Sequence, residues 1–161
     1  MRIINLIDSI EKVNTGVWGA AISTAPQLKQ QFGIESYAWF PKSMSQNVIS
    51  LASIALRQFD SFSRADLRKA ISENNFSSKN TLVISHGCWQ FPTRWGSQLH
   101  NLGFKWIATP QGMLEPWSMQ QKWFKKWLYF SLVERRLLAK ANVIRAVGSP
   151  EFNNLQKMLS T

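Results

Sequence analysis

The sequence predicts an α/β protein, a parallel sheet with helices on both faces. Two observations carry this. Short apolar runs alternate with helix-like segments from one end of the chain to the other, the order that builds parallel strands with helical crossovers. The first run, RIINLI, carries apolar residues on both faces, as a doubly covered strand does. With 161 residues and 45% hydrophobic content, the chain suits one domain and fills a core.

The elements follow in order. RIINLI is the first strand, and a polar loop runs from Asp8 to Gly16. A helix over 17–32 stops at Gly33, a glycine C-cap. IESYAWF is a second strand, closed by Pro41. Residues 43–79 are the least defined: ADLRKAISENN reads as a helix, and NVISLASIALRQF as a helix or an insertion. TLVISH is a strand, TRWGSQLHNLG a helix ending at Gly103, and FKWIATP a strand. A long helix covers 119–140, and NVIRAV is a fifth strand. SPEFNNLQKML closes the pattern, with Ser149 as N-cap, Pro150 in the first helical position and Glu151 in the first turn.

Composition narrows the partners. Nineteen Lys and Arg against nine Asp and Glu leave a net charge of +10, which favours an anionic partner: nucleic acid, a phosphorylated ligand or an anionic membrane. The one cysteine, Cys88, allows neither an internal disulfide nor a cysteine metal cluster. Its surroundings hold nothing to lower its pKa, so a nucleophilic role is not expected. The N-terminus is too charged for a signal peptide, and runs such as VISLASIAL fall far short of a membrane span. The expected setting is cytoplasmic, with peripheral membrane contact left open.

In an open α/β sheet, ligands bind beyond the carboxyl ends of the strands. The unusual loops all leave such ends: DSIEKVNTG after the first strand, HGCWQFP after the third, PQGMLEPW after the fourth and GSPE after the fifth. Thr15 and Gly16 precede a helix N-terminus whose amides suit a phosphate or a sugar hydroxyl. Gly16 and Gly19 match neither a P-loop nor the dinucleotide fingerprint, and a glycine easing a tight turn is the plain alternative. His86 could orient a hydroxyl, act as a base, or serve structurally. His100 lies within a helix and reads as solvated. Glu115, alone in an uncharged loop, either accepts hydrogen bonds from an acceptor hydroxyl or pins the loop on amides or a nearby cation.

Between 118 and 140, Lys122, Lys125, Lys126, Arg135, Arg136 and Lys140 face Glu134 alone, with Trp123, Phe124, Trp127, Leu128, Tyr129 and Phe130 among them. A core-facing helix with a solvated side is one reading. The other is an interfacial helix on anionic lipid, with Lys122, Trp123, Lys125, Lys126 and Trp127 facing the membrane.

Several of these stretches carry a resemblance. HGCW (86–89) is close to H-G-L-W, and TPQGMLEPW (109–117) is close to P-[HR]-G-M-L-E-P-W. KWFKKW (122–127), ERRLLAKA (134–141) and SPEFNNL (149–155) follow in order, the last sharing E-x-x-N-[IL] with the usual S-x-x-E-x-x-N-[IL], its Ser one residue closer to the Glu. From about residue 82 to 156 the chain resembles the N-terminal half of family 4 glycosyltransferases of the GT-B fold, of the bacterial exopolysaccharide and lipopolysaccharide type.

The resemblance implies a Rossmann-like, acceptor-side domain over 1–161, with the donor domain absent. It implies a hexosyltransferase that moves a sugar from a nucleotide sugar to a saccharide, often lipid-linked, at the inner membrane face. It implies no metal and no cofactor beyond that donor, and an isolated chain without activity. On the acceptor side it places Thr15, Gly16, His86, Gly87, Trp89, Gln111, Gly112, Glu115 and Trp117; catalytic residues are not assigned. Gln111 departs from the usual His or Arg and cannot act as a base. The alternative from another class is a non-catalytic basic module on anionic membrane or nucleic acid; no nucleic-acid motif is present, and nucleic acid is not the expected partner.

Overall fold

A computed structural model describes residues 1–9, 15–42, 54–61 and 63–159. Six strands form one wholly parallel sheet: β1 (Arg2–Ile7), β2 (Glu35–Pro41), β3 (Ile54–Phe59), β4 (Thr81–His86), β5 (Lys105–Thr109) and β6 (Val143–Ile144). Their order is β3-β2-β1-β4-β5-β6, the Rossmann-like order in which the chain reverses direction between β1 and β4. In that central pair Leu6 faces Ser85 and Ile7 faces His86.

Alternation along the strands sends side chains to two faces. Ile4 and Leu6 join one core with Trp39, Val83, Trp95 and Trp106. Ile7, Ala38 and Phe40 join a smaller one with Trp18 and Ala21. Helix α1 (Thr15–Ile22) covers the smaller face beside β1, and α2 (Ala25–Phe32) lies beside β2. On the larger face α3 (Arg64–Glu73) buries Leu67 and Ala70, and α4 (Gln90–Asn101) packs on β1, β4 and β5. Trp95 of α4 meets Phe59 edge-on at 4.5 Å and Trp39 at 6.0 Å. Gly96 lets α4 approach the sheet: a Cβ there would stand 2.3 Å from the Trp106 ring. The Trp106 indole donates to Ser85 Oγ at 3.0 Å, so this buried ring keeps its polar edge satisfied.

Four sequence expectations are corrected. The helix over 17–32 is two helices, because Pro26 cannot sit in a helix interior and instead opens α2; Gly33 does cap it, at φ 63°. NVISLASIALRQF yields a strand from Ile54, paired with β2 from Ser36↔Ile54 to Pro41↔Phe59. Its residues 43–53, and the helix-or-insertion question over them, lie outside the described residues. β3 hid because it is an edge strand with one buried side chain, Phe59. Its addition makes six strands, so HGCWQFP, PQGMLEPW and GSPE follow β4, β5 and β6. NVIRAV contributes only Val143 and Ile144 to the sheet.

The helix over 119–140 is also divided. Helix α5 (Pro116–Gln120) ends in a turn where Lys122 takes φ 54°. The chain then continues without a break through α6 (Trp123–Tyr129), a π-helical turn (Phe130–Glu134) and α7 (Arg135–Leu138). Helix α8 (Ser149–Leu159) buries Glu151 and Leu155.

Candidate functional site

The strand order puts the switch point, where such sheets bind ligands, at the carboxyl ends of β1 and β4. Asn5, a polar residue in an apolar strand, is buried there and donates from Nδ2 to the Tyr37 carbonyl at 3.3 Å. That leaves its Oδ1 toward Nε2 of His86, 3.0 Å away. The Gln111 amide nitrogen stands 3.3 Å from Nδ1 of the same ring. One neutral tautomer satisfies both contacts: Nε2–H donates to Asn5, and Nδ1 accepts from Gln111. Burial chiefly, with the charge of Arg145, holds the ring down at about 4, so it is neutral. His86 is thus bonded to side chains rather than to backbone. Both nitrogens are engaged, which suits a positioned polar wall better than a base.

Gln111 reaches His86 because Gln111 and Gly112 take successive left-handed conformations, φ 59° and 73°. Helix α8 holds that turn. Glu151, 3% exposed, accepts from the Gly112 amide at 2.6 Å and from the Val147 amide at 2.7 Å. Asn154, one turn further, donates to the Leu114 carbonyl at 2.6 Å. The i, i+3 spacing places both on one helix face. The E-x-x-N pair, Glu151 and Asn154, is therefore a clamp on PQGML, and Glu151 is more than a favourable first-turn charge. Leu114 is fully buried beneath it.

The HGCWQ turn is backbone-strained. Gly87, Trp89 and Gln90 have φ of 89°, 70° and 27°, values costly for side-chain-bearing residues. Gly87 donates to the Thr109 carbonyl at 2.8 Å, and a Cβ on it would meet Met113 at 2.9 Å. The turn aims the Trp89 amide at Oε1 of Glu134, 3.1 Å away. Glu134 is fully buried by the π-helical turn that carries it, and burial raises its pKa against the pull of the Trp89 amide. Asp8, at the end of β1, shares this corner. Burial first, then the charge of Glu134, lifts it to about 7, against a hydrogen bond from the Phe91 amide. Cys88 is buried and its thiol is pushed well up, chiefly by burial and then by Glu134, which fits an inert cysteine.

The other expected site residues divide. Thr15 and Gly16 open α1 beside β1 and β4; Gly16 has no positive φ and open space around its α-carbon, and the turn that leads into it lies outside the described residues. Glu115 caps α5 by position without a side-chain capping bond, and its Oε1 is sealed from solvent without a hydrogen-bond partner; the pinned-loop reading finds no bond at that oxygen. Trp117 is 66% exposed and stands outside the crevice. His100 is half-buried with its Nδ1 sealed, not solvated. Among the described residues, no group of three His, Cys, Asp or Glu side chains is placed to hold a metal ion.

Trp117 is one of several exposed aromatics in α5 and α6. Trp123, Phe124 and Trp127 are 65%, 59% and 57% exposed, and α6 buries none of its residues. The core-facing reading fails for this stretch: the buried positions of the rod begin at Phe130. Lys122 and Lys125 are exposed beside the aromatics. Lys126 is not among them, because its ammonium folds back onto the Ser118 carbonyl at 2.5 Å. Among the described residues, no helix is long and apolar enough to cross a membrane.

Sequence reasoning missed Asn5, Asp8 and Glu134. Each left a cue: a polar residue inside an apolar strand, the acid at a strand's carboxyl end, and the one acid in a basic helix.

No family model matches the sequence, and no curated protein matches it. Among solved structures, the chain is similar to homoserine dehydrogenase of S. aureus. The pH 6.0 structure is 10% identical with a TM-score of 0.43, over 91% of this chain and 32% of that one. The pH 7.0 structure is 9% identical with a TM-score of 0.43, over 92% and 33%. The chain spans about a third of the length of those enzymes.

Proposed function

We propose that this chain is the acceptor-side half of a hexosyltransferase, one that moves a sugar from a nucleotide sugar to a lipid-linked saccharide at an anionic membrane surface. The observation that carries this reading is the convergence of HGCW, PQGML and SPEFNNL at the carboxyl end of the sheet, where buried Asn5 and His86 hold the half-exposed Gln111 in a hydrogen-bonded row. The Gln111 carboxamide, fixed on the neutral imidazole, keeps among the described residues a free oxygen and a second N–H that suit sugar hydroxyls, which both donate and accept. The exposed aromatics of α5 and α6, with Lys122 and Lys125, suit the headgroup region of an anionic bilayer, as a lipid-linked acceptor requires.

The test is saturation-transfer NMR of the chain with oligosaccharides released from bacterial lipid-linked intermediates. Transfer to sugar protons that disappears in Gln111→Ala, with the melting curve unchanged, supports the reading. Transfer that is absent, or unchanged in the variant, refutes the crevice as an acceptor site. The patch also admits the second reading, a basic docking module without chemistry. A salt titration with anionic vesicles beside duplex DNA separates its two forms, since binding through phosphate contacts alone falls steeply with salt.

A further inference from the structure

A groove of about 460 Å³ opens between α5, the continuous helix over 123–138 and α8. This is within the usual range for small-molecule sites. Leu114, Met119, Trp127, Phe130 and Met158 form its apolar wall, with Ser131 and Asn154 as polar lining. One wall also carries Arg135, half-buried. Among the described residues Arg135 has no carboxylate at ion-pair distance; its neighbour Glu134 points the other way, onto the Trp89 amide. A guanidinium set into apolar surroundings calls for an anion, and its planar fork of donors matches phosphate oxygens.

Position adds a second argument. Trp127 belongs both to the groove wall and to the exposed patch, so the groove is continuous with the surface that carries Trp123 and Phe124. A molecule entering from a membrane on that side would bring an apolar chain and an anionic head. The back of the groove is Leu114, inside the clamped loop that holds Gln111 on His86.

We propose that this groove seats the apolar chain of a prenyl or acyl phosphate drawn from the membrane, with its phosphate on Arg135. The proposal rests on the acceptor reading only for the identity of the lipid; the groove, its cation and its continuity with the patch do not depend on it. It makes lipid recognition a property separable from saccharide recognition: the chain and phosphate are held beneath the clamped loop, and the sugars above it.

The probe is farnesyl phosphate below its micellar concentration, with binding followed by tryptophan fluorescence and by calorimetry. Farnesol and inorganic phosphate are the controls. The expected result is saturable binding of farnesyl phosphate that weakens about tenfold for farnesol and, equally, for Arg135→Gln, the loss of one charge-assisted contact. Met158→Trp, which fills the groove, should abolish binding while the thermal transition persists; Met119→Trp serves where Met158→Trp does not fold. No saturable binding, binding unchanged by Arg135→Gln, or binding retained in the filled groove overturns the proposal. Inorganic phosphate binding as tightly as farnesyl phosphate also overturns it, since the chain then contributes nothing. The two readings fail differently. Farnesyl phosphate binding retained in the filled groove, with saccharide transfer in the NMR experiment intact, sinks the lipid site alone. Farnesyl phosphate bound with no saccharide transfer sinks the acceptor crevice alone.

Discussion

The amide of Gly112 donates to Oε1 of Glu151 at 2.6 Å, joining the loop after β5 to the first turn of α8 across 39 residues of sequence. The other carboxylate oxygen holds the Val147 amide. One buried side chain thus fixes the backbone of two loops at the crevice, and with Asn154 it sets the turn from which Gln111 reaches His86.

Glu151→Ala should therefore cost stability and geometry together. Two amides lose a charged acceptor, and a loss of about 2–4 kcal/mol follows from hydrogen bonds to charged groups. Urea unfolding measures the loss. Glu151→Gln keeps one acceptor oxygen and should recover part of it. The ring nitrogen resonances of His86 should shift in Glu151→Ala, because Gln111 leaves Nδ1; an unchanged imidazole spectrum would show that α8 does not position Gln111.

Gly96→Ala tests the contact between α4 and the sheet. The added methyl meets the Trp106 ring, and overpacking of this kind costs about 1–3 kcal/mol. A lowered melting temperature is the expected outcome. Gly16→Ala, with open space around the α-carbon and an ordinary helical backbone, should fold as well as the parent or better.

Stability should depend on pH through Asp8 and His86, with opposite signs. Asp8 has a folded pKa raised from 3.8 to about 7. Its contribution is complete below 3.8 and is lost as pH rises through 7, because the folded state must then ionise a buried carboxyl. His86 has a folded pKa lowered from 6.5 to about 4. Its contribution is complete above 6.5 and is lost as pH falls toward 4, where only the unfolded chain gains the proton readily. Asp8→Asn should raise the melting temperature at pH 8 relative to the parent and lose that advantage by pH 4. A constant difference across this range would show that Asp8 titrates normally.

Trp123→Ala and Trp127→Ala should leave stability within about 0.5 kcal/mol, as for exposed positions away from special features, and reduce binding to anionic vesicles. Trp95→Ala, at a fully buried ring, should cost about 3–5 kcal/mol. Cosedimentation and thermal melts separate the two classes; a large stability loss at Trp123 would place it in the core after all.

The layered fold was legible because β1, β4 and β5 are apolar strands separated by helices with clear stops such as Gly33 and Gly103. The edge of the sheet was not: β3 buries one side chain and β6 is two residues long, so neither carries the periodicity of a covered strand. The crevice loops stood out by composition, yet their wiring did not. Asn5, Glu134 and Glu151 act through contacts 81, 45 and 39 residues distant in sequence, and no local pattern encodes such pairs. The aromatics of α6 looked equally fit for core or surface. The turn at Lys122 decides between them by starting a new helix whose first two turns face outward.

The measurement that tests the central claim most directly is vesicle cosedimentation with and without a polyprenyl-diphosphate oligosaccharide at fixed anionic lipid content. The acceptor reading predicts tighter binding to vesicles that carry the saccharide, an increment reduced by Gln111→Ala and retained in Trp123→Ala even as overall binding falls. Equal binding to both kinds of vesicle, with Gln111→Ala behaving as the parent, would contradict it and leave a basic module that recognises the membrane surface alone.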